Sequence, residues 1–248
     1  MKLTHIRNAT MVVEYAGKTI LVDPFFAEKG SLPPFPNTPN QGLSNPTVEL
    51  PVKVDDLSKA DAVIVTHLHA DHFDEAAKQA LPKATPVFAQ NEADAKVIQE
   101  AGFQHVSVLG ERSDFEGIQL SKTAGHHGKG EIEERMGAVC GVVFKHQDEQ
   151  TLYIAGDTIW CDEVEAVLKD EQPDVIVLNA GAAQFLEGGP IIMDQHDVKK
   201  VLDTATTATV IAVHLEALNH CVLTRDELKA HIPDEKLLVP EDGEIYTF

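Results

Sequence analysis

Strand-like apolar runs in this chain repeatedly end on a group that can coordinate a metal. Nothing else in the sequence constrains its fold as tightly. The clearest case is residues 62–74, AVIVTHLHADHFD, where the apolar run breaks into His67, His69, Asp71 and His72. Three later runs repeat the pattern: IQLSKTAGHHG reaches His126 and His127, TLYIAGDT reaches Asp157, and TVIAVH reaches His214. Imidazole and carboxylate are nitrogen and oxygen ligands for a first-row divalent ion. Two histidines two residues apart at a strand-to-helix turn can face one ion, while the carboxylate and histidine beyond them face a second. Separate strands can share such a centre only if the chain reversals gather their ends at one rim of a sheet.

The rest of the chain suits that requirement. Apolar or alternating runs of strand length (TMVVEY, KTILVD, TPVFAQ, GAVCGVVFK, DVIVLNA) alternate with helical patterns. DEAAKQAL follows the first histidine cluster, and NEADAKVIQEAG opens on a capping Asn and closes at Gly102. DEVEAVLKDEQ, DQHDVKKVLDTA and TRDELKAHI follow later. Hairpins early and strand–helix alternation late predict an α/β layered domain. Residues 24–54 are dense in Pro, Asn and Gly, and a loop of that length predicts a cover for a site. Its Phe25, Phe26 and Phe35 are the candidates to meet a substrate.

Composition excludes several classes. The 248 residues carry a formal charge of −20, which repels phosphate backbones and argues against a nucleic-acid partner. No apolar run approaches the ~18 residues of a membrane helix, and the start lacks a signal peptide's apolar core, so a cytoplasmic protein is expected. Cys140, Cys161 and Cys221 form no CxxC and are odd in number, which disfavours a disulfide framework. Cys161 reads as a small packing group and Cys221 as a weak thiol candidate. Asn179, Gly181 and the exposed Glu216 read as rim-loop residues, with a structural turn favoured at the first two.

With these residues in view, the chain resembles the metallo-β-lactamase-fold hydrolase superfamily, whose signature is HxHxDH, a later His, an Asp and a final His. Within it the chain resembles the branch of ascorbate-6-phosphate lactonase and phospholipase-D-like phosphodiesterases. Thr123-Ala-Gly-His-His127 fits that branch's T-x-A-x-H motif with Gly125 in place of Ala. The resemblance implies a four-layer αββα sandwich, an α/β (α+β) fold, over a single domain spanning residues 1–248. It implies His67, His69 and His127 on one ion, Asp71, His72 and His214 on the other, and Asp157 bridging them. His126, one residue earlier on an extended chain, should point away. Asp23 is either an orienting partner of a ligand or an acidic turn before Pro24.

The expected chemistry is hydrolysis, a metal-bridged hydroxide attacking a carbonyl or phosphoryl centre. Asp71 would take or relay a proton, and His220 would donate one or touch the substrate; for His220 a solvated loop histidine weighs equally. Two divalent ions are implied, zinc foremost, with manganese or iron admitted by a ligand set without cysteine. A small anionic substrate, lactone or phosphodiester, follows from the resemblance and from the positive hollow two cations make. An iron-dependent redox enzyme of the same fold and a non-catalytic metal-binding sensor are the rival readings. Oligomers are expected from relatives alone.

Overall fold

A computed structural model describes the whole chain, residues 1–248. The chain builds two seven-stranded sheets, each in two steps. In the first, β1 (Lys2–Arg7), β2 (Thr10–Tyr15) and β3 (Lys18–Val22) form an antiparallel meander. From β3 the sheet continues in parallel through β4 (Ala62–Val65), β5 (Val87–Ala89) and β6 (Val106–Val108). The second sheet repeats the plan. Antiparallel β7 (Ser113–Phe115), β8 (Ile118–Ala124), β9 (Cys140–Lys145) and β10 (Leu152–Ile154) lead into parallel β11 (Val175–Asn179), β12 (Thr209–Val213) and β13 (Leu237–Leu238). A last strand, β14 (Ile245–Thr247), returns to pair with β1.

The parallel strands are near-continuous apolar runs because both of their faces are covered. In β11, Val175 and Val177 face the other sheet while Ile176 and Leu178 face helices; in β4, Ala62 and Ile64 face the sheet while Val63 and Val65 face helices. One layer of helices holds α1 (Val54–Leu57), α2 (Glu75–Ala80) and α3 (Glu92–Glu100) against the first sheet. The other holds α5 (Asp162–Asp170), α6 (Gln195–Thr204) and α7 (Arg225–His231) against the second. The order helix, sheet, sheet, helix is the expected αββα sandwich. Each fully buried Val, Leu or Ile contributes about 1.5–3 kcal/mol, so the sheet interface fixes the strand positions that the site depends on.

Caps appear where the sequence places them. Asp74, Asn91 and Asp194 accept from backbone amides at the starts of α2, α3 and α6, and Thr224 with Glu227 forms a capping box on α7. The short α4 (Glu131–Met136) is different: Gly130 precedes it without a side-chain cap, and it buries no residue.

The loop between β3 and α1 departs from expectation in part. Phe25 and Phe26 lie in apolar clusters, 0% and 4% exposed, and meet no substrate-sized space. They anchor the loop's root. The buried Arg7 guanidinium assists by donating to the carbonyls of Phe25 and Ala27, each at 2.9 Å. Phe35, Pro36 and Thr38, farther along, line a cavity beside the histidines.

Candidate metal centre

β10 and β12 run the same way within the second sheet, and β8 is aligned with them because two antiparallel steps separate it from β10; β4 of the first sheet ends beside them. Their C-terminal ends therefore reach one rim, where open α/β sheets bind ligands. There the ligand atoms of His67, His69 and His127 lie within 4.8 Å of one another, as do those of Asp71, His72, Asp157 and His214. Asp157 faces both groups. Its Oδ2 is 3.8 Å from His67 Nε2, 3.5 Å from His127 Nε2 and 3.2 Å from His72 Nε2, and its Oδ1 is 3.8 Å from His214 Nε2. Asp71 Oδ2 lies 3.2 Å from His214 Nε2 and 3.6 Å from His72 Nε2.

The outer ring nitrogens of His127 and His72 are tied to acceptors, which turns their inner ones toward the centre. His127 Nδ1 donates to the Ile191 carbonyl at 2.7 Å and His72 Nδ1 to Asp23 Oδ2 at 2.8 Å. His69 is turned the other way, its Nε2 donating to the Met136 carbonyl at 3.0 Å. Inside the cage the Nε2 atoms of His67 and His72 are buried and have no hydrogen-bond partner. An unmet buried polar atom costs about 1–3 kcal/mol, so the cage is built for a ligand that fills it. Five imidazoles and two carboxylates converging this way fit divalent metal.

The electrostatics agree with that fit. Burial pushes His67 and His127 below the ordinary histidine range, keeping them neutral as ligands must be. For His72 and His214 burial also disfavours charge, but the facing carboxylates, Asp157 foremost, win and hold both well above it. Asp71 and Asp157 stay well below the usual carboxylate range; burial opposes this, and His72 leads the opposing attractions.

Asp23 turns out to orient a ligand rather than merely open a turn. Besides holding His72, its carboxylate accepts from the Thr66 amide and hydroxyl, both at 2.7 Å. Both Asp23 and His214 adopt left-handed backbone, φ 46° and 62°. Such strain costs about 1–3 kcal/mol and is held here by the amide bonds of Asp23 to Ile64 and of His214 to Asn8.

His126 faces out of the cage, between Glu133 and Glu163, which raise it above the ordinary histidine range. Gly125 explains the departure from the T-x-A-x-H motif. A Cβ there would sit 2.8 Å from Thr158 Cβ, and Thr158 Oγ1 is needed to accept the His126 amide at 2.9 Å. Gly181 is required too, because a Cβ would lie 2.1 Å from the His214 carbonyl.

Other residues take roles that sequence reading missed. Asn179 donates to Asp157 Oδ1 at 2.6 Å, so it steadies the central carboxylate. Glu216 is not an exposed residue: it is half-buried and pairs with the buried Arg225. Cys221 is buried, its thiol pushed up by burial and lying 3.5 Å from His214 Nδ1, which makes it packing and not a nucleophile. Cys161 is partly buried at the start of α5, beside the outward-facing His126.

Over the cage lies a cavity of about 300 Å³. His69, Asp71, His127 and Asp157 form its floor, while Phe35, Met136, Phe185 and Ile191 form apolar walls. His220 lines it as well. It is buried, packs edge-on to Phe35 at 4.6 Å, and burial lowers it to about 4. Its neighbour Asn219 is the fully buried hub of the covering loop. The side chain accepts from the Phe35 amide and Asn45, and donates to Thr38 Oγ1 and the Pro39 carbonyl. Asn219 has no motif around it, so only the contacts reveal its role.

Known proteins share this architecture. The beta-lactamase superfamily domain family matches residues 18–215. The chain is 52% identical to the UPF0173 protein YddR of Bacillus subtilis, over the full length of both. Its structure superposes on an isothiocyanate hydrolase from Delia radicum gut bacteria with a TM-score of 0.96 at 44% identity, covering 100% of this chain and 99% of that one. A possible metal-dependent hydrolase from Veillonella parvula gives 0.97 at 39% identity, with the same coverage. No helix is long and apolar enough to cross a membrane. The match falls on the strands whose ends carry the cage, and the protein thus belongs to the metallo-β-lactamase-fold family as a metal-dependent hydrolase.

Proposed function

We propose that the enzyme hydrolyses small electrophilic carbon compounds of the isothiocyanate type, R–N=C=S. The observation that carries this is the cavity itself: four apolar side chains, Phe35, Met136, Phe185 and Ile191, stand directly over the histidine–carboxylate floor. That combination suits an apolar R group with its reactive carbon held downward. The relative that resembles this chain at 44% identity over its whole length bears the name of that activity. The reaction balances as R–N=C=S + H₂O → R–NH–C(=O)–SH → R–NH₂ + O=C=S.

Two divalent ions, one on His67, His69 and His127 and one on Asp71, His72 and His214 with Asp157 between, would acidify a water and polarise the electrophile. Asp71, ionised at neutral pH, lines the cavity floor, where it would orient the attacking water by accepting its hydrogen bond and relay the proton. His220 is neutral at pH 7 because it is lowered to about 4, so it serves as a hydrogen-bonding contact to the substrate and not as a charged acid. Asn179 holds Asp157 in place, and the Asn219-pinned loop keeps bulk water from the apolar walls.

A second reading, a lactonase or phosphodiesterase for a small anion, is favoured by one observation: the guanidinium of Arg135 lines the same cavity. The two are separated by assaying metal-loaded enzyme on benzyl isothiocyanate, an aliphatic lactone and bis-p-nitrophenyl phosphate, with metal content measured on the same samples. Amine release from the isothiocyanate at a kcat/KM at least about tenfold above either competitor is the expected result. Turnover confined to the lactone or the diester overturns it.

A further inference from the structure

Arg135 stands between two cavities. It lines the chamber over the cage and also an outer cavity of about 540 Å³, bordered by Asn37, Ile132 and Leu186. Its guanidinium lies over the Phe185 ring, 5.3 Å from the centroid, and forms no ion pair or hydrogen bond with any residue. The side chain is exposed, so the charge is free to meet an incoming ligand. In a chain of net charge −20 an unengaged guanidinium at the mouth of the reaction chamber is conspicuous. Two carboxylates, Glu131 and Glu187, border the outer cavity beyond it.

We propose that Arg135 is a specificity-determining residue that selects substrates ending in a carboxylate or comparable small anion. The apolar body of the substrate fills the inner chamber, and its charged end stops at the partition that Arg135 and Phe185 form. Glu131 and Glu187 repel an anion from the outer cavity, so the charge is held at the partition and does not pass through it. A planar guanidinium lying on an aromatic face keeps its fork of donors pre-organised for a carboxylate. The helix that carries Arg135 is registered to the cage, because the carbonyl of the next residue, Met136, accepts from His69 Nε2. The distance from reactive carbon to charge is therefore set by the fold. The proposal rests on the inner cavity being the reaction chamber and adds to that reading the charge and length of the substrate.

The test uses metal-loaded wild type, Arg135→Gln and Arg135→Lys. Binding of 3-phenylpropanoate and of its neutral isostere 3-phenylpropanamide is measured by calorimetry, and kcat/KM is measured for benzyl isothiocyanate and its 4-carboxy derivative. Wild type is expected to prefer the acid and the carboxylated substrate by about 10- to 100-fold. In Arg135→Gln both ratios fall toward one, and Arg135→Lys retains part of them. A purely structural residue would lower both members of each pair together and leave the ratios where they were, which overturns the proposal. An acid preference that survives in Arg135→Gln also overturns it, since the cage would then be the anion's partner. If neither isothiocyanate is turned over while the acid is still selected through Arg135, the isothiocyanate reading fails and this one stands.

Discussion

One residue of register separates His127 from His126, and it decides which imidazole enters the cage. The T-x-A-x-H resemblance points to His127, and the structure places it 3.5 Å from Asp157 Oδ2 while His126 turns outward to Glu133 and Glu163. This much was legible because the motif names His127 and neighbouring side chains on an extended chain point opposite ways. Less legible was Asp23: an acidic residue before a proline reads equally as a turn, and only the 2.8 Å bond to His72 shows what it orients. At this scale His127→Ala is expected to lose bound metal and more than about a hundredfold in kcat/KM. His126→Ala should lose less than about threefold. Metal analysis and kinetics on the two variants check this, and the reverse order would mean that the cage takes His126.

Among the elements, those with strong periodicity were readable and those without it were not. TMVVEY and IQLSKTA coincide with β2 and β8, and the helices after Asp74, Asn91 and Thr224 begin at their caps. The short α4 escaped because it has no capping side chain and only two half-buried apolar residues, Ile132 and Met136, although it delivers Arg135 and the Met136 carbonyl to the site. The covering loop was recognised by length and composition, but the residue that pins it lies some 180 positions away in sequence. Asn219→Ala removes four side-chain hydrogen bonds at a fully buried position, two accepted and two donated. We expect it to cost about 2–4 kcal/mol of stability. KM should rise several-fold while metal content stays at the wild-type level. Urea denaturation, limited proteolysis within residues 30–45 and metal analysis check this. An unaltered proteolysis rate would mean that Arg7 and the Phe25–Phe26 root hold the loop by themselves.

For the whole molecule, the cage couples metal, protons and folding. In the metal-free protein the carboxylates hold His72 and His214 well above the ordinary histidine range, so both carry a proton at pH 7. Burial keeps His67 and His127 neutral, and Asp71 and Asp157 remain ionised, so none of these four has a proton to release. Filling the cage at pH 7 should therefore release protons from His72 and His214. Metal affinity should strengthen as pH rises and weaken as it falls. The stability that the raised pKa values give the metal-free protein has its own window: it is complete below about pH 6.5 and is lost as pH rises through the folded-state values. Titration calorimetry in phosphate and in Tris, whose ionisation enthalpies differ, measures the protons directly. Equal observed heats in the two buffers would show that no proton leaves.

The sequence by itself determined the layers and the chemistry of the ligands, because strand alternation, caps and the order of histidines and aspartates are local properties. It did not determine what surrounds the cage. The partners of Asp23, the hub at Asn219, the burial of Phe25 and Phe26 and the placing of Arg135 over Phe185 all join residues distant in the chain. Only packing two sheets face to face brings such residues within reach. The chance to coordinate metal is therefore written along the strands, while the shape and charge that choose a substrate come from the loops and the short helix that the sandwich draws together at one rim.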